Sequence, residues 1–298
     1  MLAKLLPLIP CGGRPYCEPF CGAASVFFAR DPAPIEVLND IDSEIVNLFR
    51  VLQNPETLDR FRRIITSTPY ARAELGRAIE IWRTGIDDPI WKAWSFFVRC
   101  NMGFSGVPAK HVGTWSRAFT SASGISKSTS DWLMRLTMID ACHWRLERAR
   151  IHNRDAIDVI KCWDNPNAVF YIDPPYVLET RKRSARDVYH KEMSRGEHNE
   201  LTHLLLKCVG AVVLSGYRDQ EVHTPLEDAG WIRIDFETAC HAPHAMHVSK
   251  LQDHRNIIKR EKRTESVWIN QRAISMLPPE TQEHIKELKA ENRCETLL

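Results

Sequence analysis

Residues 169–176 read Val-Phe-Tyr-Ile-Asp-Pro-Pro-Tyr. The first four are apolar and β-favouring, the pattern of a strand buried on both faces. Pro174 and Pro175 have no N–H to give to a ladder, so the strand has to end before them. The chain therefore leaves its sheet at a carboxyl edge carrying one carboxylate (Asp173), a stiff turn and one ring (Tyr176). Open α/β sheets hold ligands at that edge. For these four residues by themselves, a strand-ending turn with a solvated Asp is the plain alternative.

Other segments repeat the arrangement. Tyr16 to Phe28 reads as a short strand, a turn of small residues and the start of an apolar helix. Small residues let backbone amides approach a ligand closely, although a simple tight turn at Gly22 explains them equally well. Ile35-Glu36-Val37-Leu38 is the next strand, followed by Asn39-Asp40-Ile41-Asp42. Asp40 lies twenty residues beyond Phe20. At that spacing a nucleoside-binding βαβ unit places an acid for the ribose hydroxyls. A helix over 43–52 also needs an N-cap, and Asp40 and Asp42 can divide the two roles. Arg150 to Asp155 is a short strand ending on a third acid, eighteen residues before Asp173. Acids on neighbouring strand tips would face one crevice. After a helix over 196–209, residues 211–217, 231–236 and 265–269 complete the strands. Strands alternating with helices make this an α/β chain.

Residues 55–150 break that rhythm. Helical periodicity runs through 58–66, 72–82 and 90–97, and again through 131–148. Between them, 99–130 is rich in Ser, Thr and Gly, with six Ser or Thr in 121–130, which is loop composition. Lys110, His111, Arg117 and Lys127 are interleaved with Trp115 and Phe119. That mixture suits phosphate contact and base stacking, or a solvated loop. Arg181, Lys182, Arg183 and Arg186 crowd the stretch after Tyr176, where they could meet phosphates or simply be hydrated. His241, His244 and His247 have a spacing that could suggest a metal, but Pro243 breaks the helical face they would need, so a hairpin loop is expected. No metal is expected.

Net charge is +2, which excludes a polycation and leaves any nucleic-acid contact to local patches. The nine cysteines include no C-x-x-C pair, so reduced thiols are expected rather than a disulfide framework or zinc ribbon. No apolar run reaches membrane-spanning length, and the first residues lack the build of a signal peptide. The expectation is a soluble, cytoplasmic protein.

Glu18-Pro19-Phe20-x-Gly22, Asn39-Asp40-Ile41-Asp42, Asn153-x-Asp155, Asp173-Pro174-Pro175-Tyr176 and Leu214-Ser215-Gly216-Tyr217 occur in one order. In order and spacing they resemble the Dam-type DNA adenine (N-6) methyltransferases, most of all the compact phage-type branch. Arg263 to Asn270 resembles that branch's last strand. The resemblance implies a Rossmann-like seven-stranded sheet, mostly parallel with one antiparallel strand, and an inserted helical target-recognition subdomain. Residues 1–53 and 149–270 would bind S-adenosylmethionine and catalyse, 54–148 would read DNA, and 271–298 would be a charged tail.

By the same resemblance, Glu18, Phe20, Gly22, Ala23, Asp40, Ile41, Asp155 and Asp173 would contact the cofactor. Asp173, Pro174, Pro175 and Tyr176 would be catalytic. Asn101, Gly103, Ser105, Lys110, Trp115, Arg117, Arg181, Lys182 and Arg183 would contact double-stranded DNA. A monomer or weak dimer in a bacterial or phage-infected cell is implied. The family's Gly-Gly-Lys segment precedes the point where this sequence begins, and Cys21, Ala23 and Ala24 stand where other members carry more glycine. A cytosine N-4 enzyme, or a DNA-binding protein with a degraded methylation site, are the alternatives.

The chemistry asks for such residues independently. An exocyclic amine delocalises its lone pair into the base, so it is a poor nucleophile. Two acceptors for its hydrogens, such as the Asp173 carboxylate and the Pro174 carbonyl, would draw it toward tetrahedral geometry. Tyr176 offers a face for an extruded base, a stacking contact worth about 1–3 kcal/mol.

Overall fold

The computed structural model describes residues 2–103, 108, 110–116, 124–177, 192–239 and 262–295. Its centre is one seven-stranded sheet: β1 (Tyr16–Glu18), β2 (Glu36–Asn39), β3 (Arg150–His152), β4 (Val169–Ile172), β5 (Ala211–Gly216), β6 (Ile232–Ala239) and β7 (Lys262–Ile269). The spatial order is β3-β2-β1-β4-β5-β7-β6. Strands β3 to β5 in that order pair in parallel, and β7 runs antiparallel to both β5 and β6. The sheet expected from the motifs, with one antiparallel strand, is the sheet observed.

The parallel strands are short and apolar because helices cover both faces. Val37, Phe170, Ile172, Val212 and Leu214 belong to one layer of core, whereas Tyr16, Leu38, Val169, Tyr171 and Val213 belong to the other. The helical block shares this second layer. Helices α3 (Ser43–Gln53), α4 (Pro55–Thr66), α5 (Arg72–Thr84) and α6 (Pro89–Met102) place Phe49, Phe61, Leu75 and Trp94 in the same continuous cluster as Leu38 and Tyr171. The helices of 54–148 are therefore packed onto the sheet's core.

Three local features differ from expectation. The segment over 131–148 forms two helices, α7 (Lys127–Thr137) and α8 (Ile139–Leu146), which break at Met138. Helix α7 also starts earlier than its Ser/Thr content suggests, because the Ser126 side chain caps it by accepting from the Thr129 amide at 3.2 Å. Helix α11 (Gln220–Asp228) escapes a periodicity reading because Pro225 lies inside it. Helix α10 (Arg195–Leu205) stops four residues short of the periodic run. The last residues described are helical, in α12 (Gln271–Met276) and α13 (Pro279–Glu295), with Ile285 buried. No helix among the described residues is long and apolar enough to cross a membrane.

The loops at the carboxyl edge are held by Asn39, the last residue of β2. Its side chain is buried. Nδ2 donates to the Pro19 carbonyl at 2.9 Å and the Arg154 carbonyl at 3.0 Å, while Oδ1 accepts from the Arg154 amide at 3.0 Å. Asn153 reinforces the link by donating to the Asp40 carbonyl at 2.8 Å. Replacing Asn39 leaves three backbone groups without their partner. Asn39→Ala is expected to cost about 2–4 kcal/mol in urea denaturation; a loss below about 0.5 kcal/mol would contradict this role.

Candidate active site

The tips of β1, β2, β3, β4 and β5 open into one cleft of about 1230 Å³. The loop after β1 forms its floor. Gly22 and Ala24 both adopt left-handed backbone, with φ of 46° and 52°. The turn is closed by Ala24 N donating to the Cys21 carbonyl at 2.6 Å. A side chain on Gly22 would meet no atom within 4 Å, so this backbone faces open space in the cleft. That is the form of cradle that lets a ligand lie against main-chain atoms.

Asp40 fixes that cradle. Its Oδ2 accepts from the Gly22 amide at 2.8 Å and its Oδ1 from the Asp42 amide at 2.9 Å. Each carboxylate oxygen keeps a second acceptor site, open to a hydroxyl donor in the cleft. Burial raises the Asp40 pKa, and hydrogen bonds from the Asp42, Gly22 and Ile41 amides oppose that. Asp42 is the helix cap, accepting from Glu44 N at 2.8 Å at the start of α3. The two acids thus divide structural and site roles. Asp155 caps α9 (Ala156–Trp163) through the Ile157 amide at 2.8 Å and lies at the rim with Ile41, which is 44% exposed.

Glu18 closes the inner end. Only 1% exposed, it accepts from the Tyr16 hydroxyl at 2.7 Å, and burial pushes its pKa up to about 8. Asp173 stands beside it. Burial also raises this carboxyl, to about 6, with the Glu265 charge adding to the rise; hydrogen bonds from Ser215, Tyr176 and Tyr171 oppose it. The Ser215 hydroxyl donates to Asp173 Oδ1 at 2.8 Å. Tyr176 meets Tyr217 edge-to-face, ring centres 4.6 Å apart.

The cleft brings together Glu18, Phe20, Gly22, Ala23, Asp40, Ile41, Asp155, Asp173, Pro175 and Tyr176, with Pro174 buried in the turn behind them. Asn101 and Lys110 line the same cleft from the helical side. Gly103 and Trp115 do not line it. They pair with each other in an isolated bridge, and the Trp115 ring packs 5.9 Å from Tyr70. They shape the turn after α6 and present no ring to the cleft. Ser105, Arg117, Phe119, Arg181, Lys182, Arg183 and Arg186 lie outside the described residues, as do His241, His244 and His247. Among the described residues, no group of His, Cys, Asp and Glu could hold a metal.

Residues 1–80 match the model of the D12 class N6 adenine-specific DNA methyltransferase family. Over that stretch the chain is similar to this family. No curated protein matches the sequence. The matched stretch carries the Glu18–Ala24 cradle and Asp40, and the Asp173 turn lies beyond it. Members of the matched family are described as N6 adenine-specific DNA methyltransferases.

Three site residues carry no role in the motif reading: Tyr171, Ser215 and Glu265. Ser215 sits inside a quoted motif, but only the pairing of β4 with β5 shows that it reaches Asp173. Glu265 comes from the last strand, which no spacing connects to the cleft.

The raised pKa of Asp173 has a linkage consequence. Its folded value of about 6 exceeds the unfolded value of about 3.9. Ionisation therefore penalises the folded state above about pH 6, and the penalty fades as pH falls from about 6 to about 4. Asp173→Asn is expected to raise stability to urea by about 1 kcal/mol at about pH 7.5, with the gain lost near pH 4. Equal midpoints at both pH values would contradict the assignment.

Proposed function

We propose that this chain methylates the exocyclic N-6 amine of an adenine extruded from double-stranded DNA, using S-adenosylmethionine as donor. One observation carries the reading. The open backbone cradle with Asp40 and Asp155, and the Asp173-Pro174-Pro175-Tyr176 turn, converge on a single cleft roomy enough for a nucleoside cofactor beside a base.

The donor's fit rests on the open approach to Gly22 and on the acceptor sites of Asp40. Asp40 would accept from the ribose hydroxyls, Asp155 from the cofactor's adenine amine, and Ile41 would cover its ring. Glu18, Phe20, Gly22 and Ala23 would run along the methionine portion. When bound, S-adenosylmethionine supplies an electrophilic sulfonium methyl.

The protein's part is alignment and polarisation. The base has to leave the duplex, because its amine is otherwise paired and out of reach. Asp173 and the Pro174 carbonyl would accept the two amine hydrogens and restore nucleophilic character to the nitrogen. The adjoining prolines stiffen the turn, so the acceptors need little rearrangement. Tyr176 would stack on the base, with Tyr217 bracing its ring. No covalent adduct with the protein is needed, and burial raises the thiols of Cys17 and Cys21 well above their usual range, which makes them poor nucleophiles.

We assign residues 1–53 and 149–270 to cofactor and catalysis, and 54–148 to reading DNA. Asn101 and Lys110 line the cleft from that block. Ser105, Arg117, Arg181, Lys182 and Arg183 would supply phosphate and base contacts.

Duplex DNA incubated with the chain and labelled S-adenosylmethionine, then digested to nucleosides, should yield N6-methyladenine. Label in N4-methylcytosine would overturn the choice of base, and no label would overturn the activity. Asp173→Ala is expected to lower the transfer rate by about 10²-fold or more with the fold retained; a near-normal rate would remove Asp173 from the chemistry. Asp40→Ala is expected to weaken cofactor binding by about tenfold or more in calorimetry while DNA affinity is kept. Unchanged cofactor affinity would sink the ribose assignment.

A further inference from the structure

Tyr171, Ser215 and Asp173 form a short hydrogen-bonded row behind the cleft. The Tyr171 hydroxyl is 3.0 Å from Ser215 Oγ, and Ser215 Oγ is 2.8 Å from Asp173 Oδ1. Tyr171 and Ser215 are buried, at 6% and 4% exposure. Pairing explains why they meet. Tyr171 is in register with Val213, so Ser215, two residues on, points to the same sheet face as Tyr171 and stands level with residue 173.

Counting hydrogens gives the row a direction. Ser215 has one hydroxyl hydrogen. A serine donating to Asp173 Oδ1 can receive only a donor from the other side, and Tyr171 supplies it. The row therefore delivers a hydrogen to one carboxylate oxygen, while the Tyr176 side chain reaches the same carboxylate from the turn. It also opposes protonation of Asp173, because a carboxylate accepts the Ser215 hydrogen more strongly than a neutral carboxyl does.

We propose that Ser215 and Tyr171 are positioning residues for the transfer: they pin Oδ1 of Asp173 and so hold its carboxylate, ionised, in the orientation that meets the substrate amine. The proposal rests on the reading of Asp173 as acceptor for that amine. The charged and titratable groups facing Asp173 are Glu18 from β1, Tyr171 from β4, Tyr176 from the turn and Glu265 from β7. Burial and the Glu265 carboxylate favour a protonated Asp173. Ser215 is the neighbour that opposes them most, through its hydrogen bond to Oδ1.

The test uses the full chain with Ser215→Ala and Tyr171→Phe. The Asp173 carboxyl is titrated by carbon-13 NMR without cofactor, and the pH profile of kcat for methyl transfer is measured alongside. Ser215→Ala is expected to move the titration upward by about one pH unit, a tenfold change in the ionisation constant. Tyr171→Phe should move it in the same direction by less. The acid limb of kcat should follow each shift, with the cofactor KM within about twofold of the parent chain.

A residue that merely packs would lower kcat at every pH and leave both titrations in place, and that result would overturn the proposal. If Ser215→Ala does not fold, Tyr171→Phe decides by the same criterion, since it keeps the buried ring. Absence of methyl transfer by the parent chain would count against the proposed function, while the NMR titration would still judge the hydrogen-bonded row.

Discussion

The carboxamide of Asn39 ties the loops after β1 and β3 to the end of β2, and the Gly22 and Asp40 side of the cleft takes its shape from that buried group. Parallel strands end in loops that have no ladder to define them. Here a side chain substitutes for the ladder and satisfies three backbone groups in one buried place. Asp40 follows directly, so its position is inherited from Asn39, and it passes order on to Gly22 and Asp42. Cradle, cap and carboxylate are thus consequences of one amide held in a dry environment.

The opposite side is organised by repulsion as well as by hydrogen bonds. Glu18, Asp173 and Glu265 all line the cleft, and burial opposes ionisation of the first two. Such a cluster is unfavourable in the free protein and favourable toward a positively charged or hydrogen-rich partner. A sulfonium donor and an amine substrate are partners of that kind. Buried donors on Tyr16, Tyr171 and Ser215 keep the acids fixed while they wait, so little reorganisation remains for the moment of reaction.

Much of this was legible in sequence because the strand tips announce themselves. Apolar runs ending in Asn-Asp, Asn-x-Asp or Asp-Pro-Pro mark both a strand and the polar edge where it stops, and these acids line the cleft where the order of motifs puts them. What stayed hidden depends on contacts between distant segments. The Ser215–Asp173 bond requires the register of β4 on β5, and the place of Glu265 requires the antiparallel pairing of β7 with β5. The turn that holds Trp115 against Tyr70 could not be foreseen either, since an aromatic in a Ser/Thr-rich stretch reads as a free face until its neighbour is known. The break between α7 and α8 at Met138 is likewise set by packing, because no proline or glycine marks it.

Strand β7 lies between β5 and β6, yet it is the last of the seven in the chain. During synthesis, the residues up to about 239 emerge with both neighbouring strands complete and the slot between them empty. β5 then exposes an unpaired apolar edge carrying Ser215 and Gly216, which is open to mispairing with another chain. The Glu265 side of the cleft does not exist until that slot is filled. The cleft is therefore incomplete in the growing chain until its final strand has docked, whereas the Gly22 cradle and the Asn39 tie to Arg154 need only the residues up to about 155.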